Sequence, residues 1–382
     1  MTQAQTRPAV GLVAPLPPQV GGVASFASWL VANERFIGVR YDTFDLWRPP
    51  EDETGGRVRI ASIGRQLRQL ARFAAWARRR RQLVHYCVAL TPTGWLRDAL
   101  FLALLRVGRR QVVGHLQNVS ELERLRSRRM YALAFKQFSR LATEWVALTP
   151  SSVDALAAIG ISARCIPYPI PIAATASEGR PPAASLRLLA LGAYGEEKGS
   201  DDLLEAVARA RASGCDVVLW LVGKPLRRGD EERLRERAER LGVGSAVRIL
   251  PPVPPEGVSE HLASAHVICL PSRREGLPLS LIEGMASGLP AIATPVGGIP
   301  DLVRDDQNGL LVPVGDIAAL SAAIVRLERD EPVRRRLGAQ ARAHVEGLTR
   351  DVASQWARAY ASAGSGARTG SRPGTLRPTI DP

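Results

Sequence analysis

The chain has 382 residues, 46% of them hydrophobic, with 51 Lys+Arg against 37 Asp+Glu and a net charge of +14. That length exceeds what one core organises, so two domains are expected, and the apolar share suffices for two cores. No apolar run spans a bilayer, no signal-peptide pattern opens the chain, and Cys87, Cys165, Cys215 and Cys269 lack CxxC spacing; these features argue against a disulfide scaffold or a zinc site and for a cytoplasmic protein.

The charge is one-sided: residues 1–176 carry 24 Lys+Arg and 11 Asp+Glu, residues 177–382 carry 27 and 26. A polyanion or an anionic membrane surface is the partner class this implies. In chain order, the run 9–14 reads as a buried strand, followed by a helix from Val23 to Glu34. A helical pattern from Ile63 to Leu83 carries an apolar stripe of Ile63, Leu67, Leu70, Ala74 and Ala77. Opposite lie Arg65, Arg68, Arg72 and Arg79 with Trp76 beside them, a face suited to anionic headgroups at a membrane's inner face as well as to plain solvation. Runs 82–87, 111–115 and 145–149 read as further strands. Strands alternating with helices imply a parallel α/β sheet. The small, Pro-rich stretch 173–182 marks the boundary, giving an N-terminal domain over 1–176 and a C-terminal one over 177–350.

The pattern then restarts, with strands at 186–191, 217–222, 247–250, 267–270 and 291–293. Helices are expected over 201–211, with Ser200 as N-cap, and over 231–241. A last helix over 351–363 is expected to pack back towards the first domain, and the Gly/Ser/Arg/Pro-rich residues 364–382 form a disordered tail. The stretch from Pro271 to Pro290 is a strand end, a short turn and a helix, with Pro278 suiting the first helical turn. Amides at such a helix start form an anion site. Glu275 lies in the turn and Glu283 on the second helical turn.

This stretch resembles the E-x7-E signature of family-4 retaining glycosyltransferases (glycosyltransferase group 1 type), with Glu275 and Glu283 at the acidic positions. The resemblance continues through Ala293–Asp301 and Asn308–Val312, and takes in the strand–loop Leu191–Gly199. It implies the GT-B fold, α/β with two Rossmann-like domains facing across a cleft, the first binding acceptor and the second a nucleotide-sugar donor. By resemblance Lys198 meets the donor diphosphate, Glu275 the transferred sugar and Glu283 the ribose, with Arg273, Gly276 and Leu277 also on the donor. Gly21 and Gly22 resemble the glycine-rich loop after the first strand, on the acceptor side, with Gly22 close to the donor as well. His85 is taken as an acceptor-side residue, and His115 with Lys198 and Glu275 as the catalytic set.

Three departures stand out. Ala193 replaces an arginine common five residues before the lysine, for which Arg273 or Arg274 is a substitute. Either His115 or Gln117 holds the common histidine position, and Tyr168 stands where an asparagine is frequent. The resemblance implies transfer of a hexose-type sugar with retention to a saccharide or lipid-linked acceptor, for cell-surface polysaccharide or glycolipid synthesis. With no Asp-x-Asp and no Cys/His cluster in view, no metal and no further cofactor are expected. The rival readings are a silent homologue serving as a scaffold and an epimerase or phosphorylase on the same fold. Specific nucleic-acid binding is disfavoured, because the basic runs lack interleaved aromatics on strands.

Overall fold

A computed structural model describes residues 7–17, 22–46, 60–78, 82–89, 92–117, 129–169 and 185–365. They fall into two compact units: one runs to Pro169 and resumes at Asp351, and the other ends at Arg350. The stretch 173–182, Gly21 and Arg79 lie outside the described residues, as does the tail beyond 365.

The first unit runs β1 (Ala9–Ala14), α1 (Gly22–Ala32), α2 (Glu34–Ile37), β2 (Arg40–Asp45), α3 (Ile60–Ala77), β3 (Leu83–Val88), α4 (Pro92–Val107), β4 (Gln111–Leu116), α5 (Arg129–Ser139), β5 (Glu144–Ala147), α6 (Pro150–Ala157) and β6 (Arg164–Cys165). All strand pairs are parallel, in the order β2-β1-β3-β4-β5-β6. Alternation along β3 assigns the two faces. Val84, Tyr86 and Val88 point into one layer with Phe73 and Trp76 of α3, Phe101 and Leu105 of α4, and Phe135 and Phe138 of α5. His85 and Cys87 point the other way.

The helix read from 63 to 83 runs instead from Ile60 to Ala77, and its buried face is centred on Phe73 and Trp76. Trp76 is 7% exposed and its indole donates to Asp42 Oδ1 at 3.2 Å, while Leu67 is 61% exposed. Trp76 is therefore a core residue and not part of a lipid-docking face. The larger aromatic rings bury more area per residue than the leucine, and they set how the helix is rotated. Arg68 and Arg72 do face solvent.

The second unit runs β7 (Leu186–Leu191), α7 (Ser200–Ala212), β8 (Val217–Val222), α8 (Asp230–Arg240), β9 (Val247–Leu250), α9 (Pro255–Ser264), β10 (Val267–Leu270), α10 (Leu279–Ala286), β11 (Ala291–Ala293), α11 (Ile299–Leu302), β12 (Gly309–Leu311), α12 (Ile317–Arg329) and α13 (Glu331–Thr349). Its parallel order is β12-β11-β10-β7-β8-β9, the doubly wound arrangement in which chain direction reverses between β7 and β10. Buried Leu, Val and Ile on alternate strand positions feed an apolar layer on each face. Ser200 does not cap α7: Gly199 holds the cap position, and the Ser200 hydroxyl instead accepts from the Gly195 amide at 3.0 Å.

After α13 the chain enters α14 (Val352–Gly364), which belongs to the first unit and lies against β3, β4 and α2. The helix includes Gly364, the position from which a disordered tail was expected.

Two glycines let aromatic rings lie on the sheet. A Cβ on Gly11 would stand 2.7 Å from the Trp76 ring, and one on Gly114 2.6 Å from the Trp145 ring. Gly114→Ala is expected to cost about 1–3 kcal/mol, read as a lower midpoint in urea denaturation. Gly64→Ala, at an open position within α3, is expected to stabilise by about 0.5–1 kcal/mol.

Candidate active site

In an open parallel sheet, ligands bind beyond the carboxyl ends of the strands where direction reverses. Here that place lies beyond β7 and β10, and three loops meet there. The loop after β7 ends in a single tight turn, Glu196–Lys198, closed by Gly199 in the left-handed region (φ 67°). A Cβ on Gly199 would lie 2.0 Å from the Pro271 carbonyl oxygen, so this position admits only glycine. The loop after β10 is tied to the first by the Arg273 amide, which donates to the Glu197 carbonyl at 2.9 Å. The loop after β11 completes the set: the Gly298 amide donates to the Gly276 carbonyl at 2.8 Å, and the Thr294 hydroxyl donates to the Ser272 carbonyl.

This backbone brings Lys198 and Glu275 together. Lys198 Nζ stands 2.7 Å from Glu275 Oε1, and the same oxygen accepts from Ser272 Oγ at 2.8 Å. The Glu275 side chain is 8% exposed and that of Lys198 28%, so the carboxylate is held inside and the ammonium faces out. Next to them the amides of Gly276 and Leu277 carry no hydrogen bond among the described residues. A cation and open N–H groups beside a helix start are what a phosphate requires.

Arg273 is already engaged, with Nη1 2.7 Å from Asp202 Oδ2 and 3.2 Å from the Glu196 carbonyl. It braces the first loop against α7 and is not a free substitute for the arginine absent at Ala193. Arg274 is exposed. Glu283, on α10, is half-buried, and burial pushes its carboxyl above the ordinary value.

The remaining residues singled out in the sequence lie in the first unit. Gly22 opens α1 and is not part of a loop. His85 and His115 are fully buried, covered by Trp356 and Tyr360 of α14: His85 stacks on Trp356 at 4.6 Å, and its Nδ1 is 2.7 Å from Tyr360 Oη. Burial lowers the His85 pKa to about 3 and holds His115 well below the ordinary range, so both are neutral. Both rings, at the positions read as catalytic (His115) and acceptor-side (His85), are packed inside the first unit. Gln117 links His115 to Cys87, its Nε2 3.2 Å from Cys87 Sγ and 3.3 Å from His115 Nδ1, and Tyr168 Oη donates to its Oε1 at 2.9 Å. The expectation of no Cys/His cluster is corrected. His85, Cys87 and His115 bring ligand-type atoms within 4.8 Å of one another, a meeting produced by strand register and not by sequence spacing.

Residues 177–344 match the family of glycosyl transferases group 1. That stretch makes up most of the second unit. Among relatives, the chain is 37% identical over 206 residues to a D-inositol 3-phosphate glycosyltransferase of Streptomyces bingchenggensis, covering 51% of this chain and 44% of that one. It is 38% identical over 151 residues to a phosphatidyl-myo-inositol mannosyltransferase of Mycobacterium leprae, covering 39% of each. The match thus takes in less than half the length of either relative. Among solved structures, sucrose-phosphate synthase from Thermosynechococcus elongatus (TM-score 0.73, 22% identity) and Anabaena HepE in complex with UDP and glucose (TM-score 0.71, 17% identity) each match over 93% of this chain and 99% of their own. The fold of the chain is accordingly GT-B.

Within the second unit, sequence reasoning missed the residues that hold the site in shape. Asp202 anchors Arg273, Ser272 shares the Glu275 oxygen, and Gly297, at φ 57°, would place a Cβ 2.1 Å from the Glu275 carbonyl. The glycine pair was the available signal, since two adjacent glycines after a buried strand mark close backbone approach. The raised carboxyl of Glu283 yields a test. A folded-state pKa above the unfolded value means that ionisation costs stability: the contribution is full below the unfolded value, near 4.5, and is lost as pH rises through the raised one. Glu283→Gln is therefore expected to raise Tm at pH 7, with the gain vanishing towards pH 4.5 and below in thermal scans.

Proposed function

We propose that the chain is a retaining glycosyltransferase that takes a hexose-type sugar from a nucleoside-diphosphate sugar held by the second unit. The observation that carries this reading is the Lys198–Glu275 pair beside the open amides of Gly276 and Leu277, at the reversal point of a group 1 sheet. When the glycosidic bond to the leaving diphosphate breaks, negative charge grows on the phosphate oxygens and positive charge on the sugar. Prearranged donors on the phosphate are the main need. Lys198 and the two amides supply them, Glu275 lies where a sugar hydroxyl donates to it, and Glu283 accepts from the ribose hydroxyls. Attack on the face that the diphosphate leaves lets a phosphate oxygen take the acceptor's proton and needs no protein nucleophile, so the glutamates are not an acid–nucleophile pair. Because the chain's own cation meets the leaving group, no metal is invoked. The names of the relatives support an acceptor that is a phosphorylated or lipid-linked polyol or saccharide, as in glycolipid or cell-surface polysaccharide synthesis.

A thermal-shift panel of UDP, GDP, ADP and dTDP with their common sugars tests the donor site. One nucleotide class is expected to stabilise the protein by about 2.7 kcal/mol at a hundredfold excess over Kd, and Glu283→Ala is expected to abolish the shift. The absence of a shift with every nucleotide would sink the reading and favour a silent scaffold. Lys198→Met together with Glu275→Gln is expected to lower kcat by a further factor of about 10²–10³ relative to Glu275→Gln alone. NMR of the product should show the donor's anomeric configuration kept, and EDTA should leave the rate unchanged.

A further inference from the structure

Positive charge in this chain is concentrated in one stretch. Residues 60–140 carry 17 Lys+Arg and three Asp+Glu, a balance of +14 that equals that of the whole chain; the other 301 residues hold 34 of each. The described residues of this stretch form α3, β3, α4, β4 and α5. The strands are buried; seven of the 17 basic residues lie on the three helices and the other ten fall outside them. The helices cover one face of the sheet side by side: Phe73 of α3 stacks on Phe101 of α4 at 4.0 Å, and Trp95 of α4 lies 5.3 Å from Tyr131 of α5. Their opposite sides face outward. The one carboxylate among the described residues of the stretch is Asp98, which is buried and paired with Arg97 at 2.7 Å. Exposed on the outer side are Arg68 and Arg72 of α3, Arg106 of α4 with Arg109 in the turn just after it, and Arg129 and Lys136 of α5.

Exposed apolar side chains lie on two of the same helices. The inner side of α4 is buried through Phe101, Leu102 and Leu105, yet Leu100, Leu104 and Val107, at i, i+4 and i+7 on its outer side, are 50%, 38% and 83% exposed. On α5, Met130 is 77% and Leu133 51% exposed. A helix apolar on both sides is at odds with a surface that meets only water. A nucleic acid would use the cations and leave Leu100, Leu104, Val107 and Met130 in water. A lipid interface uses both, with phosphates taking the guanidinium groups and the acyl boundary taking the apolar chains. No helix among the described residues is long and apolar enough to cross a membrane, so the contact would lie in the plane of the surface.

We propose that the outer face of α3, α4 and α5 docks on an anionic lipid surface. The experiment is flotation of the full chain with vesicles of phosphatidylcholine alone or with phosphatidylglycerol, across a salt series. Binding is expected only with phosphatidylglycerol and is expected to weaken with salt. Arg106→Gln with Arg109→Gln should weaken it about 25-fold, some five-fold per residue, and Leu104→Ser with Val107→Ser about tenfold or more. All four positions are exposed, so an unchanged urea midpoint should accompany the loss. Absence of binding, or equal binding to both vesicle types, overturns the proposal. So does binding that falls with the arginine pair but ignores the apolar pair, which marks a polyanion site such as one for RNA. The readout involves no nucleotide and no transfer, so it is independent of the donor-site reading.

Discussion

The closeness of two backbones governs the candidate site. Beyond β7 and β10 the connections leave in opposite directions, so no crossover helix fills the space between them. Its floor is set by how near the two loops approach, and Gly199 against the Pro271 carbonyl sets that distance. A side chain at 199 would push the loops apart, and Lys198, one residue earlier, would lose its reach to Glu275. Gly297 plays the same part on the other side, beneath the Glu275 carbonyl. Electrostatics at the site thus depend on contacts that involve no charged atom.

The two polar clusters of the chain show opposite uses of burial. In the second unit the charged pair is unevenly covered, and its ammonium remains available to an incoming anion. In the first unit the cluster is closed and neutral. Gln117 Nε2 donates towards His115 Nδ1, which makes that nitrogen an acceptor; His85 Nε2, 3.2 Å away, then carries the shared proton, and His85 Nδ1 accepts from Tyr360. Among these ring nitrogens, His115 Nε2 has no partner, and its ring lies edge-on to Phe26 at 4.8 Å and to Trp356 at 5.0 Å. Desolvation without a counter-charge keeps both rings uncharged, which suits a sealed layer beneath a helix.

Much of the second sheet was legible because its strands are continuous Val, Leu and Ile runs of the kind a parallel sheet buries on both faces. β2, with the sequence Arg-Tyr-Asp-Thr-Phe-Asp, and the two-residue β6 carry no such signal, and only pairing with neighbours makes them strands. Trp76 was misread because a stripe drawn through Leu67 and Leu70 ignores that Phe73 and Trp76 bury more surface. The burial of the histidines was not legible: His85, Cys87, His115 and Gln117 show their common face in sequence, while the α14 side chains that cover it arrive only at Trp356 and Tyr360. The Lys198–Glu275 pair joins residues 77 apart. Spacing gave no hint of it; the resemblance around both loops did.

Net charge is a poor guide to where the anion of the proposed donor would be held. Residues 177–382 carry 27 Lys+Arg against 26 Asp+Glu, so no overall field draws a nucleoside diphosphate to this part of the chain. Attraction must come from within a few ångströms, and a carboxylate as close as Glu275 would work against it if it stood alone. Lys198 resolves the conflict by neutralising Glu275 on one side while keeping N–H groups turned outward. The short helix α10 adds its positive end, an effect confined to its first turn. On the proposed donor reading, a ligand would gain from this arrangement only when its phosphate meets the lysine and the loop amides together. Selection would then rest on the placement of the phosphate relative to its sugar, a geometric criterion that a merely basic surface cannot impose.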